Sequence, residues 1–95
     1  MSELKVKKQI ISLDYTAKDY DLFDDKPGAS NVALCINLAI TEGFNAGLSR
    51  SELGRKVWEV QTLYSRYGTC DTEPNWVIRQ IFDELYGVNT ERQFY

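Results

Sequence analysis

From Val32 to Ile40 the chain reads VALCINLAI, in which Asn37 is the single polar residue. Placed on a helix at about 100° per residue, these apolar side chains point almost all the way round. Only a narrow sector with Asn37 and Thr41 stays polar, so the pattern predicts a helix covered on more than one side. Lys26-Pro27-Gly28 is a turn signal before it, Ser30 is the predicted cap, and Gly43 is the predicted stop. The loop that follows runs through Gly47, with Phe44 folded inward.

A second helix has clearer boundaries. Ser49 followed by Glu52 fits a capping box, and Leu48 with Leu53 fits the accompanying hydrophobic staple. Leu53, Val57, Val60, Tyr64 and Tyr67 then fall within an arc of about 80° and form a core stripe. Gly68 ends the helix, and Gly54 suits close approach by a neighbour. A third helix spans about 73–86, with Asp71 or Thr72 as cap and Pro74 in its first turn. Its apolar face is Val77, Ile78, Ile81, Phe82, Leu85 and Tyr86, and Gly87 closes it. The short connection makes helices two and three antiparallel neighbours.

The N-terminal pattern differs. Alternating Leu4 and Val6, followed by Ile10 and Ile11, predict a strand over about 4–13. YDLF at 20–23 is its candidate hairpin partner. The fold class expected is therefore α+β and mainly helical: a three-helix core with a short N-terminal strand or β-hairpin. The whole chain, 1–95, reads as one domain. Within it, 1–28 is the strand and acidic segment, 29–87 the helical core, and 88–95 a tail whose Phe94-Tyr95 pair covers a core edge. A chain of 95 residues buries about 60–65% of the surface its unfolded form exposes.

Composition narrows the chemistry. The net charge of −3 disfavours general phosphate binding and fits a basic partner. There is no histidine, the usual acid/base residue near neutral pH. Cys35 reads as a core residue and Cys70 as a partly exposed turn residue. With no CxxC they are expected to be reduced thiols in a cytoplasmic protein. No secretory signal or membrane-spanning run is read in the sequence. No nucleophile–base pair, phosphate-binding glycine loop or calcium-loop pattern emerges, so no enzyme activity, cofactor or metal is expected.

Candidate partner-binding residues remain. Asp14, Asp19, Asp21, Asp24 and Asp25 against Lys18 give the 14–25 segment a charge of −4. The plain reading is a solvated acidic loop; if the segment faces a basic partner, Asp21, Asp24 and Asp25 are the residues expected to steer it. Trp58 projects about 140° from its helix's core stripe, and Trp76 lies off the apolar arc of the third helix. Each is expected to pack under the N-terminal hairpin or the C-terminal tail, or else to serve as a binding anchor. The leading expectation is a non-enzymatic regulatory or inhibitory protein that binds another protein, one whose basic surface itself handles nucleic acid. The alternatives are nucleic-acid binding and a structural homo-oligomer. Nucleic acid would use a helix-turn-helix-like core with Arg50, Arg55, Lys56 and Arg66. Glu52 and Glu59 interrupt that face. A homo-oligomer would use the strand edge or the aromatic tail.

Overall fold

A computed structural model of the chain describes residues 11–23, 25–68, 70 and 75–88. Three helices order the fold: α1 (Ala29–Asn45), α2 (Arg50–Ser65) and α3 (Trp76–Tyr86). Among the described residues there is no β-strand, which corrects the α+β expectation. Most of the proposed strand, residues 4–10, lies outside the described residues, and 11–13 are irregular. Ile11 pairs its backbone with a side chain instead. Its N–H donates to Asn45 Oδ1 at 2.9 Å and its carbonyl accepts from Asn45 Nδ2 at 3.1 Å. The amide at the end of α1 supplies the donor and acceptor that a neighbouring strand would have offered.

The proposed partner strand at 20–23 is also a turn. Tyr20 N–H donates to Thr16 O, Asp21 N–H to Lys18 O and Leu22 N–H to Ala17 O. Asp21 takes a left-handed φ of 58°, a conformation aspartate tolerates better than most residues. Tyr20 and Leu22 are buried while Asp21 and Phe23 face solvent. That alternation imitates a strand although the backbone turns.

Gly28, at φ 88°, precedes α1, and no side chain caps it. The turn enters the helix through a left-handed backbone, which glycine adopts without steric cost. Ser30 is therefore an exposed first-turn residue and not the cap. Gly43 does not stop α1 either; it is buried inside it. The stop is Gly47. Its N–H donates to Phe44 O at 3.0 Å, and that of Leu48 donates to Gly43 O at 3.0 Å. With Gly47 at φ 89°, these two bonds form a Schellman ending.

The polar sector of α1 is inverted relative to the sequence reading. Asn37 is only 4% exposed, whereas Leu34 and Leu38 are 59% and 57% exposed. Val32, Ile36 and Ile40 face the core beside Ala29, Ala33 and Ala39. Helix α2 carries the expected capping box, with Glu52 N–H donating to Ser49 Oγ and Ser49 N–H donating to Glu52 Oε1. Leu53 and Val57 are fully buried, Val60 and Tyr64 half-buried, and Tyr67 exposed. The predicted stripe thus holds for its first two turns and then rolls outward. Gly54 is buried.

Asn75 caps α3, where the sequence reading placed Asp71 or Thr72. Its Oδ1 accepts from the N–H groups of Val77 and Ile78 at 2.9 and 3.1 Å. Asp71, Thr72 and Pro74 lie outside the described residues. The apolar face is as expected: Val77, Ile78, Ile81 and Phe82 are buried, and Leu85 and Tyr86 partly so. The closest backbone pairing, however, is α1 against α2. Long side chains join α3 to the start of α2. Arg50 Nη2 meets Asp83 Oδ1 at 2.8 Å, and Arg50 Nη1 donates to Gly87 O at 3.3 Å. Tyr86 Oη donates to Leu48 O at 2.8 Å, while its ring meets that of Phe44 edge-on. These contacts tie the end of α3 to the beginning of α2.

Candidate functional site

The irregular segment before α1 is held by a buried tyrosine. Tyr20 has no solvent exposure. Its hydroxyl donates to Asn37 Oδ1 at 2.5 Å, and Asn37 Nδ2 donates to Tyr15 O at 2.8 Å. The Tyr15 and Tyr20 rings stack with centroids 5.2 Å apart. Both ends of the Asn37 amide are thereby used, which accounts for a polar residue inside α1. Burial raises the Tyr20 hydroxyl above its ordinary pKa, and the nearby Tyr15 and Asp19 raise it further.

The same residue reaches α3. Tyr20 O accepts from Asn75 Nδ2 at 2.7 Å. Asp21 and Trp76 are the next residues along the chain on either side of that bond, and both are exposed. Trp76 exposes 64% of its surface, and Phe23, two residues after Asp21, 43%. That bond joins the turn carrying Asp21 to the start of α3, where Trp76 is the next residue. Asp25 is exposed on the same segment, while Asp24 lies outside the described residues.

Not every aspartate there is uncommitted. Asp19 Oδ2 accepts from Thr16 N–H at 2.9 Å, and Asp19 N–H donates to Thr16 Oγ1 at 3.1 Å. These two bonds, backbone first, hold its carboxyl below the ordinary value. Asp19 closes the turn, and Asp21 and Asp25 carry outward-facing charge.

The other candidates separate from this turn. Trp58 is half-buried on α2, Arg55 is exposed there, and Arg66 is exposed just after the helix ends. Arg50 leaves the proposed basic face altogether. It is buried, ion-paired with Asp83, and 5.6 Å over the Phe82 ring. A cation at a helix start opposes the helix dipole, so Asp83 and Phe82 offset an unfavourable position.

The cysteines also exchange roles. Cys70 is buried, its Sγ donating to Gln61 O at 3.5 Å, while Cys35 is half-buried with Sγ 3.6 Å from Tyr64 Oη. That contact raises the Tyr64 pKa. Both cysteines are thiols. Among the described residues, no group of three His, Cys, Asp or Glu side chains is arranged to hold a metal ion. No helix among them is long and apolar enough to cross a membrane.

Sequence reasoning missed Phe23 and Asn75. Asn75 stands directly before the apolar period of α3, a signal for a cap that was available. Its second bond, to Tyr20, had no local signature. No protein-family model matches this chain, and no curated protein or solved structure matches it with significance.

Proposed function

We propose that this chain is a non-enzymatic regulatory or inhibitory protein that docks on a basic surface of another protein. The observation that carries this reading is the placement of exposed Trp76 beside the acidic turn through the Asn75–Tyr20 hydrogen bond. Asp21 and Asp25 steer the encounter, and Trp76 with Phe23 supplies apolar area that loses water on docking. Charge at such an edge acts mainly on association rate and specificity, whereas buried aromatics carry more of the affinity. The two thiols support a reducing compartment such as the cytoplasm.

Quantitative affinity capture with matched variants tests this reading. The partner is a protein that wild type retains at about 0.05 M salt and releases by about 0.5 M. Trp76→Ala weakens its retention by about 30-fold or more. Asp21→Asn with Asp25→Asn slows its association by about tenfold at low salt. Asparagine suits the left-handed backbone at position 21, so the turn survives the exchange. If no retained protein depends on both Trp76 and the aspartates, the reading is wrong. Retention of nucleic acid instead, lost with Arg55→Ala and Arg66→Ala, would favour the nucleic-acid alternative.

A further inference from the structure

A recess of about 440 Å³ lies along the seam of α1 and α2. Cys35 and Leu38 of α1 line it together with Val60 and Leu63 of α2. Leu38 and Leu63 are both exposed. Glu42, Lys56 and Glu59 border the recess with their side chains in solvent, a net of one negative charge. Among the described residues, neither carboxylate is ion-paired.

The chain before Ile11 leads toward this recess. The irregular segment crosses α1 from Asn37, which holds Tyr15 O, to Asn45, which holds both backbone groups of Ile11. At about 100° per residue, that crossing turns about 80° round the helix axis, and Glu42 lies about 60° further in the same sense. Residues 1–10 continue from this point and lie outside the described residues. They read MSELKVKKQI, in which Lys5, Lys7 and Lys8 outweigh Glu3 by two positive charges. Leu38 stands about 10 Å along α1 from Asn45. The stretch from Ile11 back to Leu4 spans up to about 24 Å when extended, so it reaches the recess with length to spare.

We infer that this N-terminal segment seats in the recess, with Leu4 and Val6 against Leu38 and Leu63 and its lysines over Glu42 and Glu59. The apolar side chains leave water. The lysine stems bend to the rim and keep their ammonium groups in solvent. A helix whose apolar residues point almost all the way round thereby gains cover on its second side. The contact needs no other chain and is independent of the docking surface at Asp21 and Trp76.

Alkylation of the full chain by iodoacetamide, a neutral reagent, tests the inference. Cys35 lines the recess and reports its cover, while Cys70 is buried and reports unfolding. Peptide mass follows each thiol separately. Leu4→Ser with Val6→Ser raises the Cys35 rate by about tenfold or more, with Cys70 still slow and the circular dichroism spectrum unchanged. Lys5→Glu, Lys7→Glu and Lys8→Glu together do the same, and adding Glu42→Lys with Glu59→Lys restores protection. Equal Cys35 rates in wild type and the Leu4 and Val6 variant overturn the inference. So does a failure of the reversed charges to restore protection. Protection that grows between about 1 and 100 µM protein gives the recess to a second copy and overturns it as well.

Discussion

The Tyr20 hydroxyl donates a 2.5 Å hydrogen bond to Asn37 Oδ1 across 17 residues of chain, inside the core. Asn37 in turn holds Tyr15 O, and Tyr20 O holds Asn75. One side chain and one carbonyl therefore fix the acidic turn to both α1 and α3. Tyr20→Phe removes the donor and leaves a buried amide oxygen short of a partner, at a cost of about 1–3 kcal/mol. Urea unfolding of Tyr20→Phe, Asn37→Ala and the double variant measures the coupling. The double variant should be less destabilised than the sum of the singles; additive losses would show that the bond contributes little.

Alkaline pH acts on the same residue. Tyrosine in the unfolded chain loses its proton near the ordinary value of 10.0, while burial keeps Tyr20 protonated in the fold. Above that pH the folded state binds more protons than the unfolded one, so stability falls as pH rises. Tyr86, also raised by burial against the lowering effect of Arg50, adds to the fall. Unfolding free energies between about pH 8 and about pH 12 should decline above about 10, less steeply in Tyr20→Phe. Equal slopes would place Tyr20 in contact with solvent.

Gly43 occupies an ordinary helical position, where alanine is intrinsically better by about 1 kcal/mol. A β-carbon there would overlap Leu53 Cδ1 and lie 3.1 Å from Leu48 Cδ1. Leu53 is fully buried, so it has little room to yield. Gly43→Ala should therefore destabilise by about 1–2 kcal/mol net. A rise in urea midpoint would mean that Leu53 rotates away freely.

Arg50→Ala leaves Asp83 without its guanidinium and opens space over Phe82. A loss of about 2–4 kcal/mol is expected in thermal or urea unfolding. A change below about 0.5 kcal/mol, the range of ordinary surface substitutions, would show that the pair is held too loosely to matter.

Local signals in the sequence held at the start of α2 and along the face of α3, and failed at the ends of α1, where Ser30 is not the cap and Gly43 is not the stop. Ser49 and Glu52 satisfy each other across three residues, and the α3 apolar face follows its spacing. Other signals failed because a distant group decided the outcome. Asn37 looked like the solvent side of α1 because it is polar, but Tyr15 and Tyr20 draw it inside and turn Leu34 and Leu38 out. The alternation at Tyr20–Phe23 resembled a strand because a turn can bury alternate side chains too. Of the candidate site, Asp21 and Trp76 were each legible as unusual residues. The link between their chain neighbours was not, since it rests on Asn75 bonding a carbonyl 55 residues away.

That this link sets the acidic turn beside the Trp76 ring is the central proposal, and ionic quenching of Trp76 tests it most directly. With Trp58 replaced by phenylalanine, Trp76 is the only tryptophan emitting. The acidic turn should concentrate cations near its ring, so caesium quenches more effectively than it does once Asp21 and Asp25 are both asparagine, and iodide less effectively. Arg79, one turn along α3, is common to both proteins and cancels in the comparison. The account predicts a caesium-to-iodide quenching ratio that falls by about twofold or more on the exchange at low ionic strength and converges at high salt. A ratio unchanged by the exchange, with the circular dichroism spectrum intact, would contradict it.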